Sequence, residues 1–162
     1  MENAKGSLTI KRANKSKHKE EEARLMDIGM LHPPFYTGLF AAVLMIMQMV
    51  LMGMVIKQRG TSDVLIGDGG VDNMLQAMRV HGNFVENAPM FLIGLALIEL
   101  LVGSNMWVLV MGSVFLLGRI LHTIGMSMTT SLSIPRFVGT VASILVTVVA
   151  ACYLGYTILQ SM

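Results

Sequence analysis

Polar and apolar positions along this chain segregate in blocks of twenty or more residues, not in the alternation of a strand or the narrow stripe of a surface helix. From Phe35 to Ile56 no charged residue occurs; Pro33-Pro34 precedes the block, and Lys57, Arg59 and Gly60 follow it. A bilayer core about 30 Å thick takes about 20 residues of helix, and lipid offers the backbone no hydrogen-bond partner, so such a block predicts a membrane-spanning helix. A second block runs from about Asn73 to Val102, with Asp72 and Asn73 as candidate N-caps; it carries Arg79, Glu86 and Glu99 but is uncharged from Asn87 to Ile98. A third runs from Met106 to about Met126 after the turn Gly103-Ser104-Asn105, which is short enough to force an antiparallel neighbour. The fourth spans Phe137 to Gln160 after Pro135. The pattern predicts an all-α, integral membrane, up-down four-helix bundle over residues 33–162, with spans at about 35–56, 73–102, 106–126 and 137–160.

Residues 1–32 read differently, as a polar N-terminal tail or a surface-lying helix. Seven of the chain's twelve basic residues lie there (Lys5, Lys11, Arg12, Lys15, Lys17, Lys19 and Arg24), so the net charge of +2 describes the tail and not the fold. Only 14% of the residues are charged, against about 25% in soluble domains. After Leu100 the charged side chains are Arg119 and Arg136 alone, which leaves no basic stripe to follow a nucleic-acid backbone. The single cysteine, Cys152, excludes an internal disulfide. Sixteen methionines, with Met45, Met49 and Met52 at helical spacing, read as lipid-facing and packing residues in preference to a thioether copper site.

In an up-down bundle the end of the first helix, the start of the second, the end of the third and the start of the fourth share one membrane side. Those four places hold Lys57 and Arg59, then Arg79, His81, Asn83 and Glu86, then Arg119 and His122, then Arg136. The opposite rim offers chiefly Glu99 and Asn105. Ionisable groups at membrane depth are expensive and pair with one another or with a ligand, so a one-sided cluster marks a candidate site. At 100° per residue Arg79, Asn83 and Glu86 fall within about 60° of one another, with His81 on the far side, and Arg119 and His122 share a face of the third helix. Such a set suits a zwitterion, with guanidinium groups on carboxylates and Glu86 on an ammonium. An internal salt-bridge network of Arg79, Glu86 and Arg119 that only fixes helix register is the competing reading. Haem ligation by His81 and His122 is disfavoured by the direction of His81, and Pro89 predicts a kink beside the cluster.

The string Arg79-x-His81-x-Asn83-x-x-Glu86-x-x-Pro89, followed by Gly118-Arg119-x-x-His122-Thr123, resembles the MAPEG family, the membrane-associated proteins in eicosanoid and glutathione metabolism. Gly67-Asp68-Gly69-Gly70 before the second helix and the spacing between the motifs resemble the family's small bacterial branch. The resemblance implies a homotrimer in the bacterial inner membrane, with three glutathione sites between neighbouring subunits near one membrane face, binding glutathione as thiol co-substrate and attacking lipophilic electrophiles or hydroperoxides. Arg79, Asn83, Glu86, Arg119 and His122 match positions that hold glutathione, and Arg136 matches an arginine that stabilises its thiolate. The family commonly has a further arginine where Gly82 stands, an aromatic where Met126 stands, and a glutamate where Leu75 or Gln76 stands.

Orientation sets two expectations against each other. Lys15, Lys17, Lys19 and Arg24 outnumber Lys57 and Arg59, which by the positive-inside rule retains the N-terminus in the cytosol. The resemblance implies instead that the loop between the first two spans is cytosolic, and a natural start at Met26 or Met30 would reconcile the two.

Overall fold

The structure, a computed structural model, describes residue 15, residues 17–19 and residues 32–161. Lys15 and residues 17–19 are helical; the rest of the polar tail, with Met26 and Met30, lies outside the described residues. The chain divides into residues 1–32 and 33–162. In the second unit the described residues form four helices: α1 (Phe35–Ser62), α2 (Asp72–Val102), α3 (Met106–Met128) and α4 (Ile134–Ser161). All four are long and apolar enough to cross a membrane. They form a membrane-spanning up-down bundle.

Two boundaries differ from the sequence pattern. Helix α1 continues beyond Ile56, through Lys57, Arg59 and Gly60, and stops where Asp63 turns left-handed at φ 53°. Here Arg59 ends the helix through its side chain, which donates to the carbonyls of Val64, Leu65 and Gly67 at 3.2, 2.9 and 3.3 Å. Helix α4 starts at Ile134, so Pro135 lies within its first turn, where a backbone N–H has no helical acceptor to lose. Helix α2 is helical throughout, Pro89 included.

The start of α1 has an unusual cap. Pro34 occupies the N-cap position and has no side-chain acceptor for the orphan amides of the first turn. Glu99, near the end of α2 and 0% exposed, supplies both: Oε1 accepts from the Tyr36 amide at 2.9 Å and Oε2 from the Thr37 amide at 2.7 Å. Ser104, in the turn after α2, donates its hydroxyl to the same carboxylate. At the start of α3 the Asn105 side chain accepts from the Val108 amide at 3.1 Å, an ordinary N-cap.

Helix α2 packs on α1, α3 and α4, and α3 also packs on all the others, whereas α1 and α4 do not pack on each other. Half of the α3 span is buried, the largest share of the four, and its one charged residue, Arg119, is buried with it. Phe84, Phe91, Leu95, Ile98, Val108 and Phe115 form the core between α2 and α3, with the rings of Phe91 and Phe115 stacked at 3.8 Å. Outward-facing residues such as Ile46, Met49, Trp107 and Val148 remain exposed, as a lipid-facing surface requires.

Glycines bring α3 and α4 together. A Cβ on Gly139 would lie 2.5 Å from both the Gly118 carbonyl oxygen and the His122 amide nitrogen, and one on Gly118 would lie 2.8 Å from Ser143 Oγ. Small residues let helix backbones approach closely where lipid supplies no hydrophobic drive for association. Gly139→Val is therefore expected to force the helices apart and lower stability by about 1–3 kcal/mol, the usual penalty of overpacking. Gly53→Val, at a position with nothing within 4 Å, is the matched control and should unfold with the parent in a thermal melt in detergent.

Candidate functional site

The tight α3–α4 crossing fixes the first turn of α4, and with it Arg136. A side chain at position 125 would strike the Arg136 backbone nitrogen, so Gly125 is required where α4 begins. Ser133 Oγ donates to the Gly125 carbonyl at 3.1 Å and closes the loop. His122, 5% exposed, reaches across from α3: its Nδ1 lies 2.8 Å from Thr140 Oγ1 and 3.3 Å from the Arg136 carbonyl. A carbonyl only accepts, so Nδ1 carries the proton, and Nε2 is buried without a partner. The Thr140 hydroxyl in turn donates to the same Arg136 carbonyl at 2.7 Å. The backbone of Arg136 is thus held from both helices, while its half-buried side chain makes one long hydrogen bond, from Nη1 to the Thr130 carbonyl at 3.4 Å.

Beside this turn lies an open cleft of about 380 Å³ between the start of α2, the end of α3 and the start of α4, lined among others by Asp72, Gln76, Arg79, Thr130 and Arg136. Arg79 is exposed and has no hydrogen bond or ion pair among the described residues. Gln76 Nε2 donates to the carbonyls of Met126 and Ser127 at 2.8 and 3.3 Å, which pins α2 to the last turn of α3 and forms one wall. Where the resemblance sets a glutamate at position 75 or 76, this chain has an amide committed to a helix-to-helix contact.

Deeper in the bundle Arg119 is 2% exposed and donates from Nη2 to Asn83 Oδ1 at 2.8 Å. Its guanidinium carbon lies 5.8 Å from the Phe84 ring centroid, and its Nε is buried without a partner. A buried cation next to a neutral amide and an aromatic face lacks the carboxylate that ordinarily offsets its desolvation. The second helix therefore splits its polar set: Arg79 opens on the cleft, Asn83 turns inward to Arg119, and Glu86 is exposed, with no ion pair to Arg79 or Arg119 among the described residues. The salt-bridge network weighed from the sequence is not formed among these three. Asp72, read from the sequence only as a possible cap, stands in the cleft with the two arginines, while Glu86 does not line it. Sequence reasoning read Gln76 only as standing where the family carries a glutamate, and it missed Thr130 and Thr140 as parts of the site. Their only signal was polarity at the ends of apolar blocks, which most helix termini share.

A four-helix membrane bundle with a cleft between α2, α3 and α4 that holds Arg79 and Arg136 defines a class of small integral membrane proteins with a candidate site at one end of the bundle. The sequence matches the MAPEG family over residues 37–156, and the chain belongs to that family. It is also 31% identical over 90 residues to the inner membrane protein YecN of Escherichia coli strain K12, an alignment covering 55% of this chain and 68% of that protein. The same protein from E. coli O6:H1 matches equally. The chain is an integral inner membrane protein.

Proposed function

We propose that this protein binds glutathione in the cleft between α2, α3 and α4 and activates its thiol for attack on lipophilic electrophiles or lipid hydroperoxides, working as a homotrimer. The observation that carries this reading is the cleft itself, where Arg79 and Arg136 face one space with Asp72 at its edge. Two guanidinium groups and a carboxylate complement a tripeptide that carries two carboxylates and one ammonium. Arg136, whose guanidinium has one weak internal contact, is available to sit beside the sulfur and favour its thiolate. Asn83, Glu86, Arg119 and His122, which the family resemblance also assigns to glutathione, do not line this cleft; Arg119 and Asn83 are bonded to each other deeper in the bundle. In conjugation the thiolate forms a carbon–sulfur bond and the leaving group departs with the electron pair. With a hydroperoxide, the sulfur takes the distal oxygen and an alcohol leaves; a second glutathione then yields the disulfide and water.

One observation favours a second reading, a membrane protein whose polar cluster is structural. The Arg119–Asn83 bond and the His122–Thr140–Arg136 bracket each join two helices. The two readings separate on stability in the presence of ligand. A ligand that binds only the native state raises apparent stability, by about 2.7 kcal/mol at one hundred times its Kd. Thermal unfolding of the detergent-purified protein is expected to shift upward, saturably, with millimolar glutathione and not with free cysteine; no shift at any concentration would favour the structural reading.

A further inference from the structure

Away from the arginine cleft, the geometry points to a bound anionic phospholipid whose acyl chain lies between α1 and α3 and whose headgroup sits at Lys57 and Asn73. The two helices meet near the other rim, where the Phe40 ring packs directly on Gly112, and separate toward the side that carries the arginine cleft. The gap that opens is an apolar groove of about 440 Å³, lined on α1 by Met47, Val50, Leu51 and Met54 and on α3 chiefly by Ile120 and Ile124. Positions 47, 50, 51 and 54 fall at i, i+3, i+4 and i+7, so they form one stripe on α1, and Lys57, three residues further on, continues it. Apart from the Thr123 and Ser127 hydroxyls the groove is apolar, made largely of flexible thioether and branched aliphatic side chains, which suits an acyl chain.

A second cleft of about 270 Å³ continues it toward the membrane surface. It shares Met54 and Ser127 with the groove and adds Lys57, Gln58 and Asn73. The Gln58 amide is spent on Ser62 Oγ at 3.0 Å, whereas Lys57 and Asn73 have no hydrogen bond or ion pair among the described residues. An ammonium and a free amide at the mouth of an apolar groove match a phosphate on an acyl chain in both charge and order. Basic pockets between transmembrane helices are established sites for anionic headgroups. Gln76 borders both this cleft and the arginine cleft, and its bonds to the Met126 and Ser127 carbonyls form a partition between them. The lipid site is therefore separate from the thiol site and does not depend on it.

The test is native mass spectrometry of the full chain in detergent, with phosphatidylglycerol, phosphatidylcholine and oleate added in turn. One phosphatidylglycerol per chain is expected to be retained in preference to phosphatidylcholine. Lys57→Ala should lower that retention about fivefold, the worth of one basic residue at an anionic surface, and Lys57→Arg should restore it. Val50→Trp, which fills the groove from an exposed position and leaves Lys57 in place, should lower retention of phosphatidylglycerol as well. Circular dichroism checks that each variant is folded. Equal retention of the two phospholipids, retention of oleate alone, or folded Lys57→Ala and Val50→Trp variants that hold phosphatidylglycerol like the parent would each overturn the proposal.

Discussion

Arg136→Ala is expected to abolish the ultraviolet thiolate signal of bound glutathione while leaving the protein folded. The separation of these two effects follows from how Arg136 is held. Its carbonyl receives the Thr140 hydroxyl and the His122 imidazole, and both contacts survive truncation of the side chain. The guanidinium loses only a 3.4 Å bond to the Thr130 carbonyl. A change in thermal stability of less than about 0.5 kcal/mol is expected, as for a surface substitution. The thiolate consequence is large. A free thiol has a pKa near 8.5 and is a few per cent ionised at neutral pH; a neighbouring cation that lowers this value by about two units raises the thiolate-to-thiol ratio about a hundredfold. Titrating glutathione onto parent and variant and reading the difference spectrum measures this directly. Turnover should fall more than glutathione affinity in Arg136→Ala, and Arg79→Ala should show the reverse, since a group that grips a carboxylate contributes mainly to binding. A parent signal that persists in Arg136→Ala would remove Arg136 from the role, and unchanged kinetics in both variants would remove the cleft.

The second large effect lies at the opposite rim and concerns stability. Glu99→Ala is expected to destabilise the bundle by about 2–5 kcal/mol, the sum of the polar groups it would leave without an acceptor. The residue is fully buried, and its two oxygens receive the first-turn amides of α1, which Pro34 cannot cap. Without the carboxylate, the Tyr36 and Thr37 amides lose their acceptor, and an unsatisfied buried donor costs about 1–3 kcal/mol. The Ser104 hydroxyl loses its acceptor too, so the α2–α3 turn and the α1 start loosen together. Glu99→Gln keeps one oxygen and should fall between parent and alanine variant. Thermal melts in detergent rank the three, and hydrogen exchange at the Tyr36 and Thr37 amides should speed most in Glu99→Ala. Unchanged melting and exchange would show that the cap contributes nothing. This disruption is remote from the arginine cleft, so a partly destabilised Glu99→Gln should keep its thiolate signal.

How far the chain is legible without coordinates differs between its spans and its contacts. Four largely apolar blocks determine four membrane-crossing helices in up-down order, because lipid leaves the backbone no alternative to helix and the three-residue turn between the second and third leaves no alternative to an antiparallel neighbour. The same order puts Arg79, Asn83, Arg119, His122 and Arg136 on one membrane side, so the region of the site was readable from residue positions alone. Helix ends were less so: Gly60 and Pro135 usually mark boundaries, yet Gly60 lies within α1 because Asp63 and the Arg59 side chain end it later, and Pro135 falls in a first turn that needs no N–H.

Which polar groups meet was decided only in three dimensions. Helical spacing put Arg79, Asn83 and Glu86 on one face, but a 60° arc is wide enough for its members to have different neighbours. The close approach of α3 and α4 at Gly118, Gly125 and Gly139 sets the rotation of both helices, and with it the inward turn of His122 toward Thr140 and the outward reach of Arg136 into the cleft. Glu99 and Tyr36 are 63 residues apart, and no local pattern links a late-helix carboxylate to the first turn of another helix. The length and polarity of each block settle where the backbone crosses the membrane, since that depends on each helix and the lipid alone. The pairing of Arg119 with Asn83, of Glu99 with α1, and of Arg79 with Arg136 across one cleft depends on distances of a few ångströms between helices, which packing sets and no single helix contains.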